Sequence, residues 1–189
     1  MKESRNKFEK VFRCNQQEIS DMLKSCMNHV EQSETEPVDA DVRSRFKWVV
    51  TELLTNAIKH SGVEECLISI QNYQDKLVFE KTDAGNPLAL NVNHLSKKVS
   101  WPLSGDTVPA HFEIYQNGIE ALWVSALSST EAAFSVRQMS EEDQPGISES
   151  MTEHFGLLIL TKASDQFEYQ YEPSSKTNRF RCIFNLKTN

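Results

Sequence analysis

The sequence predicts an α+β fold, a mixed and largely antiparallel sheet with helices on one face, and three observations predict it. Two stretches in the first third carry apolar residues at three- and four-residue spacing, the mark of amphipathic helices. Short apolar runs recur through the rest of the chain, bounded by turn residues. Asn117-Gly118 lies between two such runs, a strong hairpin signal of the type I′ kind. With 189 residues the chain has room for one domain with a real core and is short for two.

Taken in order, residues 7–14 read as a strand on Phe8, Val11 and Phe12. Residues 16–30 read as a helix whose apolar face is Ile19, Met22, Leu23, Cys26, Met27 and Val30. A polar connector with Pro37 leads to the best-marked element, a helix with Asp39 as N-cap, Asp41 in its first turn and Ser61-Gly62 as its stop. Val42, Phe46, Val49, Val50, Leu53 and Ala57 trace its buried face. A hairpin over residues 65–73 and 76–82 follows, with its turn near Asp75.

Residues 84–107 are rich in Gly, Pro, Asn and Ser and read as loop, with one short helix near 93–99. Residues 109–116 and 119–127 form the Asn117-Gly118 hairpin, and an apolar patch at 132–136 leads into an acidic loop at 140–150. A helix at 157–164 and strands at 166–171 and 179–186 close the chain.

Bulk properties exclude several classes. The formal charge of −7, with scattered Lys and Arg, argues against a nucleic-acid surface. No apolar run approaches the roughly 18 residues that a membrane helix needs. The first twelve residues have no apolar core of the secretory kind. Four cysteines without a C-x-x-C pair suit a reduced, cytoplasmic setting. Five histidines show no metal-ligand spacing.

Three short constellations carry chemistry. Glu52 and Asn56 are one turn apart on the long helix, so a carboxylate and an amide oxygen share a face and can hold a hard divalent cation or position a water. Lys59 and His60 continue that face. Asp83 closes a strand and is followed by Gly85, which permits close approach of the backbone to a ligand. Gly156 precedes an apolar helix, where free N–H groups and the helix dipole favour a phosphate.

In this order the pieces resemble the nucleotide-binding signature of the GHKL superfamily, whose domain has the Bergerat fold. Residues 52–60, ELLTNAIKH, resemble its N box; residues 83–88, DAGNPL, its first glycine box; residues 154–160, HFGLLIL, a reduced second glycine box. The tail, with Asp165 and Asn178-Arg179-Phe180, is similar to the branch of anti-sigma-factor serine kinases.

The resemblance implies one histidine-kinase-like ATP-binding domain over 1–189, a two-layer sandwich with an inserted hairpin around 109–127. Residues 91–150 would be an atypical lid region. Asn56 would bind Mg²⁺ bridging the triphosphate of ATP, and Glu52 would act as the catalytic carboxylate. Asp83 would hold the adenine amine, Gly85 would give the base room, and Thr177 would complete its pocket. Lys59 or His60 would approach phosphate oxygens, with Gly156 beside them.

The implied activity is that of a serine/threonine protein kinase or ATPase. Its partners would be a sigma factor or an anti-sigma antagonist, and the protein would be a homodimer. The other reading that the residues leave open is a catalytically degenerate interaction module, since only Gly156 stands where the second box usually has several glycines.

Overall fold

The computed structural model describes residues 6–33, 38–92, 97–104, 110–139 and 154–186. The chain begins with β1 (Asn6–Arg13) and a 3₁₀ turn over Gln16–Glu18, and continues into α1 (Ile19–Ser33). Asn15 starts that turn by accepting the Gln17 N–H at 3.0 Å. Next comes α2 (Ala40–Asn56), where Asp39 caps as expected, its carboxylate accepting the Asp41 N–H at 2.8 Å. Beyond Asn56 the helix widens into a π turn over Ala57–Ser61, and Gly62 ends it with a φ of 69°.

The strands that follow are β2 (Glu65–Asn72), β3 (Lys76–Asp83), β4 (Ala89–Val92), β5 (Lys97–Ser100), β6 (Ala110–Gln116), β7 (Glu120–Ala126) and β8 (Glu131–Gln138). Then come α3 (Phe155–Ala163), β9 (Gln166–Glu172) and β10 (Thr177–Asn185). Eight strands form one sheet in the order β1-β2-β3-β10-β9-β8-β7-β6, and β4 and β5 pair separately.

This architecture corrects the expected one. The chain is not a Bergerat-type sandwich with a mixed sheet, helices on one face and an inserted hairpin. Every strand pairing among the described residues is antiparallel, and strand outweighs helix, with three α-helices against ten strands. The physical reason lies in the connections. The links β2–β3, β6–β7, β7–β8 and β9–β10 are tight, and a tight link joins antiparallel neighbours because a parallel pair needs a crossover of a dozen residues or more. The apolar patch at 132–136 is the middle of β8, which pairs with both β7 and β9 and joins the hairpin to the main sheet.

Two local expectations change as well. Residues 84–107 contain β4 and β5 instead of loop alone. The expected helix near 93–99 is strand at 97–99, its residues 93–96 lying outside the described residues, as does the acidic loop at 140–150. In the Asn117-Gly118 turn Gly118 takes a φ of 83° while Asn117 keeps an ordinary one, so the turn is not type I′. The Asn117 side chain holds it instead, its Oδ1 accepting the N–H groups of Ile119 and Glu120 at 3.0 and 2.8 Å.

The core lies between α2 and the middle of the sheet. Phe46 of α2 meets Phe79 of β3 and Phe184 of β10 edge-on, at centroid distances of 5.5 and 5.6 Å. Val49, Val50, Leu53 and Leu54 are buried beside it. Each such side chain contributes about 1.5–3 kcal/mol by leaving water, so α2 is fixed firmly over β3 and β10. That anchoring sets the position of the helix end that carries Glu52 and Asn56. All four cysteines are free, and burial pushes the thiols of Cys26 and Cys66 up to about 12, which suits packing and not reactivity. No described helix is long and apolar enough to cross a membrane.

Candidate functional site

A cavity of about 950 Å³ opens between the end of α2, the end of β3, β4 and the start of α3. The volume is in the range of small-molecule and cofactor sites. At one end stand Glu52 and Asn56, half-buried and one turn apart as their spacing predicts. Gly156, in the first turn of α3, faces them. A Cβ there would lie 2.9 Å from Glu52 Oε2 and 3.5 Å from both Oδ1 and Nδ2 of Asn56, so the carboxylate and the amide both border the space that a side chain would fill. Burial raises the Glu52 carboxyl above its ordinary value of 4.5, with Lys59 opposing the shift.

Lys59 and His60 project from the π turn and line the same cavity, joined by Lys98 of β5. Burial lowers the His60 imidazole, and the charges of Lys59 and Lys81 lower it further. His154, with a φ of 70°, precedes α3, and its Nε2 accepts the Asn91 N–H at 3.3 Å, which ties the head of α3 to β4.

The other end of the cavity is a polar floor laid across three strands. Asp83, at the end of β3, sits opposite Asn178 on β10, and Lys81 opposite Phe180. Asp83 is deeply buried and densely bonded. Its Oδ1 accepts the Gly85 N–H at 2.9 Å and the Asn178 Nδ2–H at 3.1 Å, and its Oδ2 takes the Lys81 ammonium at 2.5 Å. Asn178 also donates to the Gly85 carbonyl at 3.0 Å, and its Oδ1 accepts the Tyr169 hydroxyl at 2.7 Å. The Tyr169 oxygen in turn accepts the Leu88 N–H at 3.0 Å. These bonds tie the turn after β3 to β9 and β10 through Asp83, Asn178 and Tyr169, and a connected buried network of this kind is rigid.

Among the residues expected from sequence, Glu52, Asn56, Lys59, His60, Asp83 and Gly156 line one cavity. Gly85 does not line it but shapes it, because a Cβ at that position would come within 2.0 Å of the Ser61 carbonyl oxygen. Thr177 is not brought to the cavity; it pairs across the sheet with Glu172 and bonds Ser175 at 2.7 Å. Its neighbour Asn178 has the floor contact instead, since a strand turns successive residues to opposite faces.

The residue that sequence reasoning missed is Lys81. Its side chain is 4% exposed, its ammonium stands 4.6 Å over the Phe180 ring, and it lines the cavity. The period of two along a strand was the available signal, because it puts residues 81 and 83 on the same face.

Comparison with models of known protein families and with curated proteins gives no match. The likeness to the GHKL signature therefore rests on these residues themselves.

Proposed function

We propose that this chain is a nucleotide-binding regulatory protein, holding a purine nucleoside triphosphate with Mg²⁺ in the cavity and passing its γ-phosphoryl group to a protein partner. The observation that carries the reading is the convergence of Glu52, Asn56, Asp83 and Gly156, four residues from three separate motifs, on one cavity. Asn56 would hold the cation, which when bound neutralises phosphate charge. Lys59, Lys98 and His60 stand where they can meet phosphate oxygens. Glu52, whose carboxyl burial raises above its ordinary 4.5, would take a proton from an attacking hydroxyl. The motif likeness implies ATP, a serine acceptor, a partner of the sigma-factor or anti-sigma-antagonist kind, and a homodimer.

A second reading, binding without transfer, is favoured by one observation. The first turn of α3 faces the Glu52 carboxylate, so the positive end of that helix already has an anion beside it. Transfer of label from γ-labelled Mg-ATP and Mg-GTP, read both as labelled protein in a cell lysate and as phosphate released to water, and measured for the wild type and for Glu52→Gln, separates the two. Transfer predicts turnover that Glu52→Gln abolishes while binding persists. Equal, background rates in both proteins, with binding intact, would leave only the binding module.

A further inference from the structure

We propose that β1 is a docking edge for a second copy of this chain, the two β1 strands pairing antiparallel about a twofold axis at Val11. The inference stands on the sheet edge and not on the nucleotide reading, since no residue of β1 lines the cavity.

The eight-stranded sheet ends in β1 on one side and in β6 on the other. A bulge between Glu113 and Tyr115 interrupts β6, a feature that discourages further pairing. β1 instead pairs with β2 in unbroken register along its whole length. The direction of its backbone groups follows from that ladder. The Cys14 N–H donates to the Glu64 carbonyl at 2.8 Å, which continues the register one pair beyond Arg13 and Glu65. Hydrogen-bonded pairs alternate along an antiparallel ladder, so Phe8, Lys10 and Phe12 turn their N–H and C=O groups to β2. Lys7, Glu9, Val11 and Arg13 turn theirs outward, where no strand among the described residues receives them.

Such an edge is a template for another strand, and the side chains decide which strand fits. Outward positions can bond only to outward positions of a second β1, so few twofold registers exist. Centred on Glu9, that carboxylate opposes its own copy. Centred on Lys10, Lys7 faces Arg13 and Lys10 faces itself. Centred on Phe12, the overlap shrinks to residues 11–13. Centred on Phe8, Lys7 faces Glu9 favourably, but Val11 stays uncovered. Centred on Val11, residues 9–13 of both strands pair, Glu9 faces Arg13 twice, and no like charges stand opposite.

Only this last register uses the apolar surface of the edge. Val11 is 52% exposed and lies directly opposite Leu67, itself 38% exposed. With Val11 against its copy, the two Val11 and two Leu67 side chains form one row across four strands. The ion pairs Lys7–Glu9 and Arg13–Glu65 are exposed, so Glu9 and Arg13 exchange partners at little cost. The pairing is isologous, as a closed dimer requires. It buries less than the roughly 1,200 Å² of a standard interface, so the dimer depends on protein concentration.

The test is sedimentation of the full chain from about 10 µM to about 1 mM, without nucleotide. A monomer–dimer equilibrium is expected for the wild type. Val11→Pro removes an N–H that β2 does not use, and proline is tolerated at such an edge position. It is expected to be a monomer, with circular dichroism confirming that it folds. Glu9→Arg and Arg13→Glu each set like charges opposite and weaken the dimer by about fivefold or more. Mixing these two variants restores it, because between unlike copies every facing pair again has opposite signs. That recovery reports the register and needs no proline variant to fold. A wild-type monomer at every concentration overturns the inference, as does a folded Val11→Pro that dimerises like the wild type. Charge variants that dimerise normally, or that do not recover on mixing, overturn it as well. None of these outcomes bears on nucleotide binding, which is measured separately.

Discussion

Gly85 lies so close to the end of α2 that a Cβ at its position would come within 2.0 Å of the Ser61 carbonyl oxygen. The same carbonyl accepts the Asn86 N–H at 2.9 Å, so the turn after β3 is seated on the π turn that carries Lys59 and His60. The two ends of the cavity are thereby held in one register. Gly85→Ala is expected to destabilise the fold by about 1–3 kcal/mol through this collision and to weaken ligand binding. Gly118→Ala is the contrast, since nothing lies within 4 Å of a Cβ there and only the φ of 83° opposes it. It is expected to cost about 1–2 kcal/mol and to leave binding unchanged. Urea denaturation of both variants checks the comparison.

The buried Lys81–Asp83 pair makes a second prediction. Removing either partner leaves the other charge buried and uncompensated, at a cost of about 3–5 kcal/mol. Lys81→Met combined with Asp83→Asn is expected to cost clearly less than the sum of the two single changes. A thermodynamic cycle by chemical denaturation measures the coupling, and additive losses would show that the two groups do not depend on each other. Loss of binding in Asp83→Ala alone would therefore mix the loss of a ligand contact with damage to the floor.

His60 reports on the same pair. Burial, Lys59 and Lys81 all disfavour its protonated form. Its imidazole is expected to titrate below the ordinary 6.5 in an NMR pH series, and Lys81→Met moves the midpoint upward. The sign follows from linkage: a lowered folded-state value gives stability that is full above 6.5 and is lost as pH falls through the lowered midpoint. An unchanged midpoint in Lys81→Met would mean that the ammonium does not reach His60.

Glu52 has the opposite dependence. Burial raises its carboxyl, so the folded state binds a proton more readily than the unfolded chain. The penalty for ionising it is absent below the ordinary value of 4.5 and grows as pH rises from there to the raised value. Glu52→Gln is expected to be at least as stable as the wild type at neutral pH, with the difference vanishing in acid. Thermal unfolding across the pH range checks this. A Glu52→Gln protein less stable at pH 7 would show that the carboxylate is needed for folding.

Much of the site was legible because it depends on local periodicity. Glu52 and Asn56 share a helix face by spacing alone, and the Asp39 cap, the Gly62 stop and the strand ending at Asp83 follow from local chemistry. The fold class was not legible, because it depends on pairing between distant segments. The 132–136 patch gives no sign that β8 will pair with β9, and that pairing joins the β6–β7 hairpin to the main sheet. Asn178 could not be separated from Thr177 without the register that sets it opposite Asp83. Lys81 escaped for a related reason: a lysine on a strand reads as a solvated side chain until its carboxylate partner two residues on is seen to be buried with it.

The most direct test of the central claim is calorimetric titration of ATP and GTP into the protein, with and without Mg²⁺, against Asn56→Ala. The substitution puts a good helix former at a half-buried position, so the fold is expected to tolerate it. A nucleotide site predicts saturable one-to-one binding of at least one triphosphate, tightened by Mg²⁺ in the wild type and not in Asn56→Ala. Absence of heat at millimolar nucleotide, for both triphosphates and with or without the metal, would contradict it.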